Sequence, residues 1–395
     1  MSCVVRLSLL LVVTFVSCQS GNITSTGPQQ PLFTHAQGSP VPVECEPGNI
    51  LIGDMNNDRK LDLILACARA HSITVLEGKG NGQFGAALSN TTVPDPPHEI
   101  AAGDVNGDGK LDLVAATHDS YGVTLLTGDG KGGLTITPTP ILMKQGEHPH
   151  THGLALADVN RDNKLDLITC NASDNDISLA FGDGRGNFTR APQSYPVGPS
   201  PYPFGVGDLN NDGSPDIVAT ATATGPKRRE QLPLSRALTL LVSDGKGSFS
   251  PRQLPIRTGE PWFAAIADLN RDGKADILAT HHDQSALTVL LGDGRGGFTE
   301  ANGSPFDFGG SVFHFIVADV DRDKTLDVVA VGGATLRVLL GDGRGAFRPA
   351  TSIPVGPGAY RLAAADLNGD GALDIVTSNS ESNSVSVLLG KPTVP

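Results

Sequence analysis

The chain has 395 residues and a formal net charge of −13. It contains 48 glycines and 28 prolines but only one tryptophan. Of its 42 acidic residues, 22 lie in one repeated motif, so the negative charge indicates unfilled cation sites and not a surface for a basic partner. The one basic cluster, residues 227–229, is too short for a phosphate-binding track, and we expect no nucleic-acid binding.

Residues 1–18 have the pattern of a secretory signal peptide. Arg6 provides the positive charge, and the apolar stretch at 7–16 is too short to span a bilayer. Cleavage after Cys18 predicts a secreted, extracellular protein. The alternative is a lipidated Cys18, which would give a lipid-anchored cell-surface or periplasmic lipoprotein. No later segment predicts a transmembrane span.

Residues 19–30 are small and polar, which predicts a disordered linker before the folded domain. The folded domain is expected over residues 31–391, followed by a short C-terminal tail at 392–395. We expect a monomer.

The domain is organised by a nine-residue motif, seen most clearly at residues 104–112. Positions 1, 3, 5 and 9 carry side-chain oxygens, and Gly109 at position 6 permits a sharp turn. Position 7 adds its backbone carbonyl. Five converging oxygens, several of them anionic, are the ligands that Ca²⁺ prefers.

The motif occurs seven times, and we number the copies loops 1 to 7. Successive copies are 50, 54, 50, 60, 51 and 47 residues apart, a period that is typical of a repeat array or propeller. The sequence therefore predicts up to seven Ca²⁺ ions. The predicted ligands are, loop by loop, Asp54, Asn56, Asp58, Lys60, Asp62; Asp104, Asn106, Asp108, Lys110, Asp112; Asp158, Asn160, Asp162, Lys164, Asp166; Asp208, Asn210, Asp212, Ser214, Asp216; Asp268, Asn270, Asp272, Lys274, Asp276; Asp319, Asp321, Asp323, Thr325, Asp327; and Asp366, Asn368, Asp370, Ala372, Asp374.

An EF-hand would place a Glu at position 12 and helices on both sides of the loop. Position 12 is Ala115 in loop 2, and the short apolar run after Asp112 (113–117) predicts a strand, so the EF-hand is rejected. Glycine at position 6 predicts that loops 2, 4, 5 and 7 bind calcium best. Arg59, Asn163 and Lys324 replace it elsewhere, and the additional carboxylate of Asp321 compensates in loop 6.

Each repeat predicts four strands. A first strand of small residues, such as 100–103, leads into the loop, and an apolar second strand, such as 111–117, follows it. A third strand, such as 286–291, ends in a Gly-Asp-Gly turn. The fourth strands open with Phe84, Phe188, Phe249, Phe298 and Phe347. Four strands per repeat predict an all-β, seven-bladed β-propeller, with residues 31–44 completing the last blade and closing the ring.

The Asp-x-Asn-x-Asp-Gly-x-x-Asp loop and the following Gly-Asp-Gly-x-Gly-x-Phe turn resemble FG-GAP/VCBS repeats over residues 31–391. Such repeats form the seven-bladed propeller of integrin α-subunit heads and occur in many secreted bacterial proteins. The resemblance implies calcium in the loops between first and second strands. It also implies a role in adhesion or extracellular recognition.

The start of each first strand carries a second repeated feature. The residue six positions before each loop is aromatic or His in six of seven copies, Gly48 being the exception. These positions should gather on the face opposite the loops. The predicted ligand site comprises His98, His152, Tyr202, Trp262, Phe313, His314 and Tyr360.

Three interpretations of this face remain open. It could be a platform for an extracellular protein or glycan, because aromatic faces stack on apolar ligand surfaces and His supplies hydrogen bonds. It could hold a transition metal on His148, His150 and His152 with His98 or His314. The rings could also have a purely structural role, in which they close one end of the central channel of the propeller and pack against neighbouring blades. An insertion at 224–236 predicts a solvated loop beside this face, with a specificity loop as the alternative.

The leading functional prediction is a non-enzymatic binding or adhesion module stabilised by calcium. The alternatives are a propeller enzyme using metal or acid–base chemistry at the His-rich face, and a purely structural scaffold; no nucleophile motif is present. Cys45 and Cys67 either pair in an oxidising compartment or are small buried hydrophobes.

Overall fold

The computed structural model describes residues 31–147, 149–222, 237–257, 259–281 and 284–391. The predicted signal peptide, Cys18, the linker, the insertion at 224–236, His148 and the C-terminal tail lie outside these residues. Within them the fold is all-β, and the helical segments are two single 3-10 turns, Ala68–Ala70 and Ser380–Ser382. No helix in these ranges is long and apolar enough to cross a membrane.

The first five repeats each form one antiparallel sheet in which the first four strands are neighbours in sequence order, and the fifth strand of repeats 2, 3 and 5 pairs with the third strand. Repeat 1 contains β3 (Ile50–Gly53), β4 (Asp62–Cys67), β5 (Ser72–Gly78) and β6 (Phe84–Thr92). Repeat 2 contains β7 (Glu99–Gly103), β8 (Asp112–Ala116), β9 (Gly122–Gly128), β10 (Leu134–Ile136) and β11 (Ile141–Leu142). Repeat 3 contains β12 (Thr151–Ala157), β13 (Asp166–Asn171), β14 (Asp176–Gly182), β15 (Phe188–Arg190) and β16 (Tyr195–Pro196).

Repeats 4 and 5 follow the same plan. Repeat 4 contains β17 (Gly205–Gly207), β18 (Asp216–Ala219), β19 (Ala237–Ser243) and β20 (Phe249–Pro255). Repeat 5 contains β21 (Pro261–Ala267), β22 (Asp276–His281), β23 (Ala286–Gly292), β24 (Phe298–Glu300) and β25 (Phe306–Asp307). The phenylalanines predicted to open fourth strands do so in β6, β15, β20 and β24.

Repeats 6 and 7 share one sheet and so differ from the prediction of separate four-stranded sheets, because one long strand, residues 347–365, belongs to both. The strands are β26 (His314–Ala318), β27 (Asp327–Gly341), β28 (Phe347–Ala365), β29 (Asp374–Asn379) and β30 (Ser384–Gly390). Residues of β27 pair with β26 at one end and with β28 at the other. In β27, residues 332–334 continue the strand from the part paired with β26 to the part paired with β28, where repeats 1–3 have a loop between the second and third strands.

The N-terminal residues pair with the last strand of the chain, as predicted. Both β1 (Phe33–His35) and β2 (Val41–Pro42) are antiparallel to β30, with Phe33 opposite Gly390 and Val41 opposite Val385. These pairs satisfy backbone groups along β30 that would otherwise form an open sheet edge.

The hydrophobic core is divided among contacts between consecutive repeats. The second strands are buried along their whole length, as their apolar sequences predicted. Val376, Val385 and Val387 of repeat 7 share a cluster with Ile50 and Ile52 of repeat 1, so the two ends of the repeat series pack together.

The described residues contain three cysteines, two of which are bonded to each other and one of which is free. Cys45 and Cys67 form a disulfide, which decides between the two alternatives left open by the sequence. Cys170 is a buried free thiol. The disulfide fastens the segment before the first strand of repeat 1 to the end of its second strand.

Candidate functional site

The carboxylates at position 9 tie each loop to its sheet. All seven are completely buried. One oxygen accepts a hydrogen bond of 2.8–3.1 Å from the backbone N–H at position 2 of the loop. The other accepts one of 2.7–2.9 Å from the backbone N–H of the residue that ends the third strand. These side chains therefore have a structural role that the ligand pattern did not reveal.

The position-1 carboxylates accept hydrogen bonds from the backbone of a tight turn. The position-1 Asp accepts a hydrogen bond from the backbone N–H of position 6 in every loop, at 2.7–2.9 Å. Position 6 has a positive φ throughout, which is why glycine is favoured there. Arg59 and Lys324 adopt the same left-handed conformation with φ of 68° and 73°.

Burial raises the pKa of every position-9 carboxyl, and the neighbouring loop aspartates raise it further. It reaches about 6 for Asp166, Asp276 and Asp374 and about 7 for Asp327. Like charges held close together in a partly buried site disfavour ionisation. A divalent cation among them would remove this repulsion, so the donor set suits a hard cation.

Loop 6 fits a cation most clearly. Asp319, Asp321 and Asp327 each place an oxygen within 4.8 Å of the others, and no other group of three His, Cys, Asp or Glu in the described ranges meets this condition. The Oδ1 atom of Asp319 is buried and has no hydrogen-bond partner. A buried, unpaired carboxylate oxygen is costly, and a bound cation would supply the missing partner.

Position 4 of the loops is a feature that the sequence reasoning missed. It has a positive φ in every loop, although only two of the seven residues there are glycine. Its side chain can reach the following loop: Asn211 donates to the carbonyl of Gly273 at 3.2 Å, and Arg271 donates to that of Asp323 at 3.5 Å. The sequence signal was the recurrence of Asn, Arg and Gly at this position. Gly and Asn favour the left-handed backbone of a turn, and the long Arg side chain reaches a neighbouring loop.

At the opposite ends of the first strands, five aromatic rings form a continuous series. His98 stacks on His118 with 3.7 Å between ring centroids, and His118 contacts His152 at 4.6 Å. His152 stacks on Tyr202 at 4.2 Å, and Tyr202 stacks on Trp262 at 3.8 Å. We call this surface the aromatic face. It brings together side chains of repeats 2 to 5, and neighbouring rings in the series are 20 to 60 residues apart in the sequence.

The remaining predicted residues lie in two places. Phe313 and Tyr360 contact each other at 5.9 Å and are 40% and 39% exposed, so they form an apolar patch on the surface. His314 instead contacts Phe263 at 4.9 Å and accepts a 3.5 Å hydrogen bond from the backbone N–H of Leu362. His314 is thus separate from the stacked series.

Burial lowers the pKa of the histidines on this face. The pKa falls to about 3 for His118 and about 2 for His152, with neighbouring His and Arg side chains adding to the effect of burial. These rings are therefore neutral near pH 7. Ring nitrogens of His150 and His152 are 2.7 Å apart, a distance that suits an N–H···N hydrogen bond between neutral imidazoles.

A polar network that the sequence reasoning also missed lies one residue after the ring positions. The Nη2 atom of Arg361 is 2.7 Å from Oε1 of Glu99, and the Nδ2 atom of Asn49 donates to the other carboxylate oxygen at 2.7 Å. Both charged residues are buried, and Tyr360 covers the guanidinium with 4.7 Å between Cζ and the ring centroid. The sequence signal for this network was the presence of a charged residue, such as Glu99, in a first strand that is otherwise apolar.

Comparisons of sequence and of structure relate the chain to known proteins. The FG-GAP-like repeat profile matches residues 54–115, 104–169, 158–219, 268–330 and 319–377. No curated protein sequence matches the chain.

Solved structures of low sequence identity share the fold. BBS1N, solved in complex with ARL6DN, has a TM-score of 0.62 at 11% identity, covering 93% of this chain and 99% of that one. An Agrocybe aegerita lectin that recognises non-reducing terminal N-acetylglucosamine has a TM-score of 0.55 at 19% identity, with 87% of each chain covered. Virginiamycin B lyase from Staphylococcus aureus has a TM-score of 0.52 at 11% identity, covering 86% and 98%. These similarities show a β-propeller fold and leave the activity open.

Proposed function

The chain belongs to the FG-GAP-like repeat family, and on this premise we propose that it is a secreted, calcium-binding propeller that recognises an extracellular ligand at its aromatic face. Seven loops at near-regular spacing support seven blades. The pairing of β1 and β2 with β30 and the core shared by repeats 7 and 1 support a closed ring. A closed ring would present a rigid face to a ligand.

Calcium is proposed as the resident cation of the loops, with up to seven ions per chain. Loop 6 provides the strongest support, because it combines three converging carboxylates with an unpaired buried oxygen. In the other loops the aspartates and asparagines at positions 1, 3 and 5 would hold the ion, together with the position-7 carbonyl and the position-9 carboxylate. Calcium would stabilise the loops by neutralising carboxylates that otherwise repel each other.

The observation that carries the ligand proposal is the concentration of rings at one end of the first strands. Tyr, Trp and His rings combine an apolar surface with a polar edge, and sugars combine an apolar ring face with hydroxyl groups. Phe313 and Tyr360, at the equivalent positions of repeats 6 and 7, add exposed apolar surface. The similarity to the Agrocybe aegerita lectin makes glycans ending in N-acetylglucosamine the first ligands to test, with protein ligands as the second class.

The proposed location outside the cytoplasm has separate support. The disulfide between Cys45 and Cys67 is typical of an oxidising compartment. Free secretion after cleavage of the signal peptide is proposed, with a lipid anchor at Cys18 as the alternative. Mass spectrometry of the mature N-terminus distinguishes the two, since a diacyl or triacyl adduct on Cys18 would establish the anchor.

A glycan-array experiment in millimolar Ca²⁺ tests the ligand site. We expect Tyr360→Ala and Trp262→Ala to weaken binding at least tenfold, because aromatic anchors carry much of the energy at such sites. Leu142→Ala is the matched control, since Leu142 is 47% exposed and lies on β11, an outer strand that pairs with β9. Equal effects of all three substitutions, or binding to no glycan or protein, would count against the proposal.

The metal-enzyme alternative has less support from the described geometry. Outside loop 6, the described residues bring no three candidate ligand atoms of His, Cys, Asp or Glu within 4.8 Å of one another. His150 and His152 instead share a hydrogen bond. Elemental analysis decides the matter: calcium alone supports the binding module, and about one zinc or copper ion per chain that is lost in His152→Ala supports the alternative.

A further inference from the structure

The residue at position 7 divides the loops into those that carry lysine there and those that do not. Loops 1, 2, 3 and 5 carry lysine there, and its ammonium lies on the position-5 carboxylate of the same loop, with Nζ–Oδ2 distances of 3.0–3.4 Å. The pairs are Lys60–Asp58, Lys110–Asp108, Lys164–Asp162 and Lys274–Asp272. In these loops the chain places its own positive charge on a carboxylate that a bound calcium ion would use.

Loops 4 and 7 have no charge at position 7, because Ser214 and Ala372 occupy it. The same carboxylate oxygen instead accepts a hydrogen bond from the amide of the position-3 asparagine. The distances are 2.9 Å for Asn210 Nδ2 to Asp212 Oδ2 and 3.0 Å for Asn368 Nδ2 to Asp370 Oδ2. Turning the amide so that its oxygen faces a metal ion breaks this contact without separating opposite charges.

Loop 6 has neither the lysine nor the amide. Thr325 stands at position 7 and Asp321 at position 3, and the Oδ1 atom of Asp319 has no hydrogen-bond partner. Loop 6 therefore has four carboxylates and no lysine at position 7, and the positive charge that acts on Asp321 comes from outside the loop, from Arg348. Since a cation gains most where uncompensated negative charge is closest, this loop should attract calcium most strongly.

We propose that the lysines at position 7 compete with calcium inside their own loops, so that the seven loops fill in a defined order. Loop 6 fills first, loops 4 and 7 follow, and loops 1, 2, 3 and 5 fill last. This inference rests on the proposed calcium-binding function and deepens it. It differs from the order based on glycine at position 6, which placed loops 2 and 5 among the best.

The expected differences are modest, because the lysine side chains are 37–44% exposed. Ion pairs in solvent are weak and are screened by salt, so removing one lysine should tighten its loop by about fivefold at low ionic strength. The difference between the two groups of loops should narrow at high salt, since the competing charge is then screened.

A calcium titration of the full mature chain, followed by two-dimensional NMR, tests the order loop by loop. The backbone amides of Gly109 in loop 2 and Gly371 in loop 7 report on one loop of each group. In the unsubstituted protein, Gly371 should reach half-saturation at a lower calcium concentration than Gly109. Lys110→Thr should lower the Gly109 midpoint about fivefold and leave the Gly371 midpoint unchanged.

Lys246→Thr is the matched control. It removes the same charge from the turn after a third strand, where the lysine forms no ion pair with a loop carboxylate in the described part of the chain. It should leave the Gly109 midpoint unchanged.

Three results would overturn the inference: an unshifted Gly109 midpoint in Lys110→Thr, an equal shift in the Lys246→Thr control, or loop 2 filling before loop 7. These are distinct from failure of the proposed function, in which neither glycine signal responds to millimolar calcium.

Discussion

Arg361 and Glu99, which are 262 positions apart in the chain, form a buried ion pair with 2.7 Å between Nη2 and Oε1. Arg361 belongs to repeat 7 and Glu99 to repeat 2, and Asn49 of repeat 1 completes the carboxylate's contacts. The pair therefore connects first strands on both sides of the point where the repeat series begins and ends.

Breaking this pair should destabilise the domain strongly. Arg361→Met leaves the Glu99 carboxylate buried without its cation, which typically costs about 3–5 kcal/mol in the free energy of unfolding. Glu99→Gln with Arg361→Met should recover part of that loss, since no uncompensated charge remains. Urea unfolding at pH 7 measures both, and a single substitution costing under about 1 kcal/mol would contradict the buried pair.

Two aspartates of loop 5 should respond differently to substitution in calcium-free buffer. Asp276→Ala removes the acceptor of two buried backbone N–H groups, which should cost about 3 kcal/mol or more in stability. Asp272→Ala removes a surface carboxylate paired with Lys274 and should cost under about 1 kcal/mol. Thermal unfolding in EDTA measures both losses of stability. Equal losses in the two variants would show that the position-9 carboxylate contributes no more to stability than the position-5 carboxylate.

The raised pKa values of the position-9 carboxyls predict how calcium stabilisation depends on pH. Their pKa is about 6 to 7 in four loops of the folded protein and near 3.8 in the unfolded chain. The folded state thus holds more protons between about pH 4 and 7, and the calcium-free protein loses this stability as pH rises through that window.

Calcium should reverse that loss, because it favours the ionised form. The increase in Tm on adding calcium should therefore be larger at pH 7.5 than at pH 5, by roughly 5 °C or more. Differential scanning calorimetry with EDTA or CaCl2 measures it. An increment that shrinks as pH rises would contradict the prediction.

Two histidines on the aromatic face should stay neutral at mildly acidic pH. Burial holds the pKa of His118 near 3 and that of His152 near 2, below the usual 6.5. Because the folded pKa is lowered, their contribution to stability is complete above pH 6.5 and is lost as pH falls towards those values. NMR of the imidazole carbons should show the neutral form down to about pH 4.5, and a titration midpoint near 6 would contradict the packed arrangement.

The sequence predicted those features that are repeated at fixed intervals. The loops, the four-stranded plan of repeats 1 to 5, the phenylalanines that open the fourth strands and the return of residues 31–44 to the last strand all follow from local patterns. The gathering of His98, His152, Tyr202 and Trp262 on one face followed from their equal offset from the loops. Repetition shows which positions are equivalent in space.

Features that occur once, or depend on a distant partner, were not predictable in this way. Nothing local links Arg361 to Glu99, because their contact exists only when repeats 7, 1 and 2 are assembled. The double role of the position-9 carboxylates depends on the end of the third strand, 14 to 27 residues further along the chain. The strand β27 runs without a break from its pairing with β26 to its pairing with β28, and β28 pairs with both β27 and β29, which no local pattern indicated.

The position of β1 also has a consequence for how the protein is made. The β1 strand pairs with β30, so its partner does not exist until the residues up to 390 have been synthesised. Until then β1 and β2 are unpaired segments of a nascent chain, and the blade to which they belong is missing two of its strands. The sheet that contains β1 and β2 therefore cannot be completed before β30 has been synthesised, and any truncation before residue 384 removes the partner that both N-terminal strands require.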